Sequence, residues 1–163
     1  MCGLCDERAR QDEEDFKAGF TTIPVISLWM PWANWVVLGW KGIETRLHKR
    51  FYSLVGKEIG IHASQKWDDA ALEAAKPYLW PPHWEATHSF LRIGGALIGT
   101  ACVVDARELT SEDSERALID CGNVKRHGLY LAYPKIIEAI PMRGKQGIWY
   151  ADIPTASKQE VSG

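Results

Sequence analysis

One stretch of sequence, residues 26 to 64, constrains the fold more than any other part of the chain. A short apolar run leads through Pro31 into a segment of helical character, and Gly39 follows, a residue that accepts the left-handed conformation at a helix C-terminus. The next residues alternate in an extended pattern, so Glu44 and Arg46 share one face of a predicted strand, with Lys41 just past the helix end. This order predicts strand, helix, strand, with three charged side chains gathered beside a helix terminus.

These three side chains, with tryptophans nearby, are typical of the surroundings of a polar planar ligand. Lys41, partly desolvated beside Trp40, either acts as a base or nucleophile with a lowered pKa or stays charged and holds a phosphate. Glu44 positions the lysine, accepts protons from a nucleobase edge, or serves as general acid or base. Arg46 supplies a planar fork for a phosphate or a carbonyl. The alternative is a solvated strand face with a plain Glu44–Arg46 salt bridge and tryptophans in the core.

Several motifs follow one another in a fixed order along the chain. S-L-x-x-P-W-A begins at Ser27 and G-x-K-x-x-E-x-R at Gly39, and Ile-His-Ala is centred on His62. A glycine-rich run over 95 to 101 comes next, and P-M-R-G-K-Q-G begins at Pro141. Together these motifs resemble the ASCH family, which is related to PUA domains, over roughly residues 24 to 153. The resemblance implies an α+β fold, a PUA-like mixed β-barrel of about six strands with flanking short helices.

The resemblance also implies a function. It favours a protein that binds RNA or a modified nucleotide or nucleoside in a pocket lined by the G-x-K-x-x-E-x-R motif. The alternative is a hydrolase acting on a modified nucleoside, as an amidohydrolase, or on RNA, as a ribonuclease; Lys41 and Glu44 are then the predicted catalytic residues. The family includes an amidohydrolase of N4-acetylcytidine with a threonine three residues after its lysine, where this chain has Glu44. A protein-docking domain is the third hypothesis.

Further ligand contacts are predicted outside the central motif. Trp29 and Trp40 offer rings for stacking, which is worth about 1 to 3 kcal/mol per base. His62 alternates with isoleucines on a predicted strand, where a structural, hydrogen-bonded role is the alternative. The remaining predicted contacts come from the region 125 to 147. The complete predicted ligand-binding set is Lys41, Glu44, Arg46, Trp29, Trp40, His62, Tyr130, Arg143 and Lys145.

The distribution of charge says more about partners than the net charge does. The 163 residues carry a formal net charge of −2, which argues against a general basic nucleic-acid binder. Basic residues concentrate in 41 to 50 and in 125 to 145, and these segments form one positive face if they are adjacent in space. The predicted partners are therefore RNA, single-stranded nucleic acid or a nucleoside.

Length and composition predict one folded domain. With 46% hydrophobic residues the chain supports a single core, and we expect a polar extension over 1 to 20, an ASCH domain over 21 to 153 and a disordered tail over 154 to 163. No apolar run is long enough to span a bilayer and no signal peptide is evident, so a cytoplasmic protein without a membrane partner is expected. Cys2 and Cys5 form a C-x-x-C pair without a second pair at zinc-finger spacing, so no metal and no cofactor are predicted.

Periodicity and turn residues give the expected elements. A first strand over 25 to 28 precedes a helix that ends near residue 38. Further strands are predicted over 42 to 50, 58 to 63, 96 to 106, 129 to 133, 136 to 140 and 148 to 152. Helices are predicted over 67 to 78 and 111 to 121, and the proline-rich region that follows residue 78 is expected to be a long loop.

Overall fold

Six strands form the centre of the molecule in the computed structural model, which describes Arg10 and residues 19 to 155. The strands are β1 (Phe20–Met30), β2 (Ile43–Arg46), β3 (Glu58–Trp67), β4 (Ala96–Glu108), β5 (His127–Pro141) and β6 (Trp149–Pro154). They form one sheet in the order β2-β5-β4-β3-β1-β6. The β1–β3 pair is parallel and every other neighbouring pair is antiparallel, so the sheet is mixed.

Short helices connect the strands. The α-helices are α1 (Trp32–Val37), α2 (Ala71–Ala75), α3 (Pro81–Thr87) and α4 (Ser114–Ala117), and 3-10 turns cover Arg50–Leu54 and Ser111–Asp113. Over the part of the chain that the structure describes, no helix has the length and apolar character needed to cross a membrane. The expected α+β class, with about six strands and short flanking helices, is confirmed.

The main core lies between the sheet and α1. β1 and β3 both bury consecutive residues rather than alternate ones, as strands covered on both faces do. Ile26, Ile59 and Ile61 are fully buried there. A smaller cluster packs α1 against α2 through Trp35, whose indole N–H donates to Thr87 Oγ1 at 2.9 Å and so ties α1 to the end of α3.

Some expectations on individual elements are wrong. The sheet does not close into a barrel, because within residues 19 to 155 β2 and β6 each pair with a single strand. A helix, α3, replaces part of the predicted loop, since prolines at its first positions fit a helix start as well as a helix end. The strands predicted over 129 to 133 and 136 to 140 are one strand, β5, in which Tyr133 takes a positive φ of 52°.

The predicted helix over 111 to 121 is also much shorter. Its backbone passes through the left-handed region at Leu118, which has a φ of 57°, so α4 ends after one turn. A capping box between Thr110 and Asp113 starts this segment. The Cys2–Cys5 pair and most of the predicted N-terminal extension and tail lie outside the described residues.

Candidate functional site

A large cleft opens where the C-terminal ends of β1, β2 and β3 meet the loop between β5 and β6. We call it the basic cleft. Its volume is about 1160 Å³, and residues 141 to 148 of the loop all line it. The remaining lining residues are Ser27, Trp29, Arg46, His48, Arg50, Phe51, His62, Ser64, Gln65 and Gly95.

The lining of the basic cleft is cationic. Arg46 and Arg50 come from the end of β2 and the turn after it, and Arg143 and Lys145 come from the loop opposite. Over residues 19 to 155, no aspartate or glutamate lines the cleft. Charges of one sign in a concave site add to a positive potential, which attracts anions. The two basic segments of the sequence therefore do meet at one surface.

The side chain of Arg46 is held in place by two neighbouring side chains. Its Nε lies 3.5 Å from Oε1 of Glu44, a residue that is only 7% exposed, and its guanidinium carbon lies 4.6 Å from the ring centroid of Phe51. An ion pair and an aromatic face together restrict the orientation of the guanidinium. Glu44 acts as a support for Arg46 and is not itself among the cleft residues.

Two side chains from neighbouring strands fix the loop over the cleft. Ser27 and His62 are register partners in the parallel β1–β3 pair. The hydroxyl of Ser27 donates to the carbonyl oxygen of Lys145 at 3.1 Å, and Nε2 of His62 donates to the carbonyl oxygen of Met142 at 2.9 Å, since a carbonyl can only accept. The loop that carries Arg143 and Lys145 is therefore attached to the sheet at two points.

Gly144 lies between these two points, where only a glycine fits without displacement. A Cβ at this position would lie 2.5 Å from Cε1 of His62 and 2.9 Å from the hydroxyl oxygen of Ser27. Nδ1 of His62 would be 2.8 Å away, and this nitrogen is buried without a hydrogen-bond partner among the described residues. The loop backbone thus packs directly on the two anchoring side chains.

Trp29 forms an aromatic wall of the basic cleft. Its side chain is 47% exposed, and the ammonium group of Lys66 lies 3.7 Å from its ring centroid. A cation over one face of an indole stabilises the orientation of the ring. An exposed ring beside a cluster of cations is a suitable surface for a planar base.

A second, smaller cavity shares no lining residue with the first. We call it the aromatic pocket; its volume is about 480 Å³, and it lies between the end of α1, α3 and α4. The rings of Trp40 and His83 stack there with centroids 3.8 Å apart and planes inclined by 3°, and Trp80 meets His83 edge-on. Lys41 lines this pocket, not the basic cleft.

Lys41 is buried in the wall of the aromatic pocket, with 2% of its surface exposed. Its ammonium group donates to the carbonyl oxygen of Ala117 and lies 5.0 Å from the ring centroid of Trp32. Burial lowers the pKa of Lys41 to about 8, against the opposing effect of the negative charge of Glu44. The lysine is thus largely protonated at neutral pH but titrates well below an exposed lysine.

The predicted site residues therefore divide between several places. The structure brings together Trp29, Arg46, His62, Arg143 and Lys145 in the basic cleft, and Lys41 with Trp40 in the aromatic pocket. Tyr130 lines neither cavity; it is 4% exposed and donates to Asp113 Oδ1 at 2.6 Å. The separation arises because Lys41 precedes β2 and its side chain extends to the carbonyl oxygen of Ala117, the last residue of α4.

Sequence reasoning missed the anchoring function of Ser27 and the stack on Trp40. Ser27 begins the first motif, which is the only indication of its importance in the sequence. Nothing in the sequence indicated that His83 would stack on Trp40, because the region of its helix, α3, was predicted as a loop. Within residues 19 to 155, and including Arg10, no group of three or more His, Cys, Asp or Glu side chains is arranged to hold a metal ion.

Comparison with known proteins gives solved structures only. No protein-family model matches the sequence, and no curated protein matches it. ASCH from Zymomonas mobilis is 19% identical with a TM-score of 0.46, over 72% of each chain. The chain is similar to ASCH proteins of known structure. One mutant of that protein is 17% identical with a TM-score of 0.47, over 73% of each chain. A second mutant is 18% identical with a TM-score of 0.45, over 72% of this chain and 74% of the mutant chain. The sequence motifs on their own point to the same family name, ASCH.

Proposed function

We propose that the chain binds RNA or a nucleotide in the basic cleft. The observation that carries this proposal is the charge of the cleft lining, which includes Arg46, Arg50, Arg143 and Lys145 and, among the described residues, no carboxylate. Arginine and lysine on a concave surface are the groups that neutralise phosphates, and their contacts supply most of the affinity of nucleic-acid binding. The resemblance of the sequence motifs to the ASCH family supports the same function.

The size of the basic cleft and its aromatic wall support a nucleotide ligand over a simple anion. Pockets for small molecules usually measure about 300 to 1,000 Å³, and the basic cleft, at about 1160 Å³, has room for more than one nucleotide. Trp29 provides a half-exposed ring on which a base can stack. Phosphates then contact the loop and Arg46 while the base contacts Trp29.

Binding of a short single-stranded RNA, followed by fluorescence anisotropy, tests this proposal. Arg46→Gln and Lys145→Gln should each weaken affinity about tenfold, because each removes a charged hydrogen bond to a phosphate. Lys57→Gln is the matched control, because Lys57 is an exposed lysine outside the cleft lining. Equal affinity for all four proteins, or no binding by the unsubstituted protein at low salt, would contradict the proposal.

A hydrolase is the second candidate, and one observation favours it. Lys41 is buried beside aromatic rings, and its pKa is lowered to about 8, as in lysines that act as nucleophiles or bases. Glu44 is the predicted catalytic partner and its charge acts on the lysine. Incubation with N4-acetylcytidine or RNA, with the products separated by chromatography, tests this candidate. Turnover that Lys41→Met abolishes would support it, and turnover that survives this substitution would exclude Lys41 from the chemistry.

A further inference from the structure

We propose that residues 143 to 147 form a phosphate cradle, in which backbone N–H groups bind one phosphate group of the ligand. The inference rests on the proposed binding of RNA or a nucleotide in the basic cleft and specifies which part of the ligand the loop recognises. Backbone N–H groups of a glycine-containing loop, with cationic side chains beside them, are a recurrent way to bind a phosphate.

The donors of this loop have no acceptor in the described protein. Met142, the first residue after β5, donates its N–H to the carbonyl oxygen of Gly95 at 3.0 Å. From Arg143 to Gly147, no backbone N–H makes a hydrogen bond to any residue that the structure describes. Every residue of this segment lines the basic cleft. These donors are therefore available at a concave, cationic surface.

The loop is held in one position although its donors are free. The carbonyl oxygens of Met142 and Lys145 accept hydrogen bonds from His62 and Ser27, and Gly144 packs against both of these side chains. Gly147 has a φ of 72°, a conformation that favours glycine. A loop with fixed carbonyls and unpaired N–H groups is preorganised for an anion, because little ordering remains to be done on binding.

Charge selects a phosphate over other ligands. Arg143 and Lys145 alternate with Gly144 along the loop, and Arg46 lines the same cleft. A phosphate group offers several acceptor oxygens and up to two negative charges, which match multiple N–H donors and several cations. A neutral ligand would leave these charges without compensation in the cleft.

A buried nitrogen lies beside the centre of the loop. Nδ1 of His62 is buried, has no hydrogen-bond partner among the described residues, and lies 2.8 Å from a Cβ built on Gly144. Because Nε2 donates to the carbonyl oxygen of Met142, Nδ1 of the neutral ring is an acceptor and gives no hydrogen bond to a phosphate oxygen. His62 therefore positions the loop, and the phosphate donors are the backbone N–H groups and the cationic side chains.

Amide resonances measured by two-dimensional NMR during titration with inorganic phosphate test the cradle. The glycine signals of Gly144 and Gly147 should shift and saturate, while the signal of Gly56 stays in place. Gly56 is a matched control because it also has a positive φ, of 83°, and lies outside the cleft lining. Sodium chloride at equal ionic strength is the reference. Shifts of Gly144 and Gly147 no larger than that of Gly56 would overturn the cradle.

Two variants and three nucleotide ligands complete the test. Lys145→Gln should weaken phosphate affinity about tenfold and Lys57→Gln should leave it unchanged. Cytidine, cytidine 5′-monophosphate and a short RNA without terminal phosphates are then compared. Loop shifts with the monophosphate alone identify a terminal phosphate, and loop shifts with the RNA identify a backbone phosphodiester; both support the cradle. Shifts of the Trp29 indole signal with all three ligands and none in the loop would overturn the cradle and leave the proposed function intact. No shifts with any ligand would overturn both.

Discussion

Lys41 and Arg46 belong to one sequence motif, yet their side chains line different cavities. Lys41 precedes β2 and is buried in the wall of the aromatic pocket, whereas Arg46 ends β2 and lines the basic cleft. Glu44 is located between them in the chain, with an oxygen 3.5 Å from Arg46 and a charge that raises the pKa of Lys41. The motif therefore places two buried charged residues, Lys41 and Glu44, next to Arg46 in the chain, and Glu44 contacts Arg46. The three side chains do not surround one ligand site.

The buried charge of Lys41 makes stability depend on pH. Its pKa is about 8 in the folded protein against 10.5 for an exposed lysine, so the unfolded chain binds more protons between these two values. The free energy of unfolding of the unsubstituted protein should therefore rise between about pH 8 and pH 10.5 relative to Lys41→Met, by about 3 kcal/mol in total. Below pH 8 the difference between the two proteins should stay constant. Urea unfolding at a series of pH values measures it.

Other groups also titrate in this range, and the Lys41→Met variant controls for them. Groups that do not interact with Lys41 contribute equally to both proteins. The cost of leaving the Ala117 carbonyl unpaired falls on the variant alone but does not depend on pH, so only the slope of the difference matters. A difference that does not change between pH 8 and pH 10.5 would show that the ammonium group is solvated in the folded protein.

Salt dependence of RNA binding should report the cations of the basic cleft. For a single strand the logarithm of affinity falls with the logarithm of salt concentration by about 0.7 per neutralised phosphate. Arg143→Gln should therefore lower the magnitude of this slope by about 0.7, and the double variant with Lys145→Gln by about twice that. The net charge of −2 gives no general attraction for RNA. A slope that the double variant leaves unchanged would place the phosphates elsewhere.

Gly144→Ala should show how much the position of the loop, as distinct from its charge, contributes to RNA affinity. The new Cβ would collide with His62 and Ser27, so the loop must move, at a cost of about 1 to 3 kcal/mol in stability. RNA affinity should fall although no cation is lost. Gly56→Ala is the comparison, because its Cβ meets no atom within 4 Å and its cost of about 1 to 2 kcal/mol comes from the positive φ alone. Unfolding curves and anisotropy titrations of both variants should show similar losses of stability and a loss of affinity for Gly144→Ala only.

Local sequence patterns predicted the order of the elements near the central motif, although β2 (Ile43–Arg46) is shorter than the strand predicted over 42 to 50. Pro31, Gly39 and the alternating residues after them define α1 and β2, because helix start, helix stop and strand alternation depend on neighbouring residues. The sequence did not predict that β5 continues past Pro134, because antiparallel pairing with β4 over the whole strand overrides the local break. Closure of the sheet depends on strands far apart in sequence, and its expectation came from the family resemblance alone.

The candidate site was harder to predict than the fold. Side-chain alternation placed Glu44 and Arg46 on one face but could not tell that Lys41, before the strand, extends to the Ala117 carbonyl. The basic segments at 41 to 50 and 125 to 145 do meet, through Arg46, Arg50, Arg143 and Lys145. The two segments meet because the loop between β5 and β6 lies beside the ends of β1 and β3. No local sequence pattern specifies this arrangement.

Trp35, not Trp32, is the tryptophan on which the helical side of the fold depends. Trp35 is fully buried, and its N–H donates to Thr87 in α3, whereas Trp32 is only partly buried and donates to Asp68 at 2.7 Å. Trp35→Ala should lower the free energy of unfolding by about 3 to 5 kcal/mol, because it leaves a large cavity. Trp35→Phe keeps most of the volume but loses the hydrogen bond, and should cost about 1 kcal/mol from that bond.

Trp35→Phe should also show whether the two cavities are independent of each other. Thr87 ends α3, the helix that carries His83 to its stack on Trp40, whereas the anchors of the basic cleft, Ser27 and His62, lie on β1 and β3. Trp35→Phe should therefore leave RNA affinity in the basic cleft unchanged while it loosens the wall of the aromatic pocket. Anisotropy titrations, with hydrogen exchange of the α3 amides as the second measurement, check both parts. Faster exchange in α3 together with weaker RNA binding would show that the two cavities are coupled, and exchange as slow as in the unsubstituted protein would show that the Trp35–Thr87 bond does not hold α3 in place.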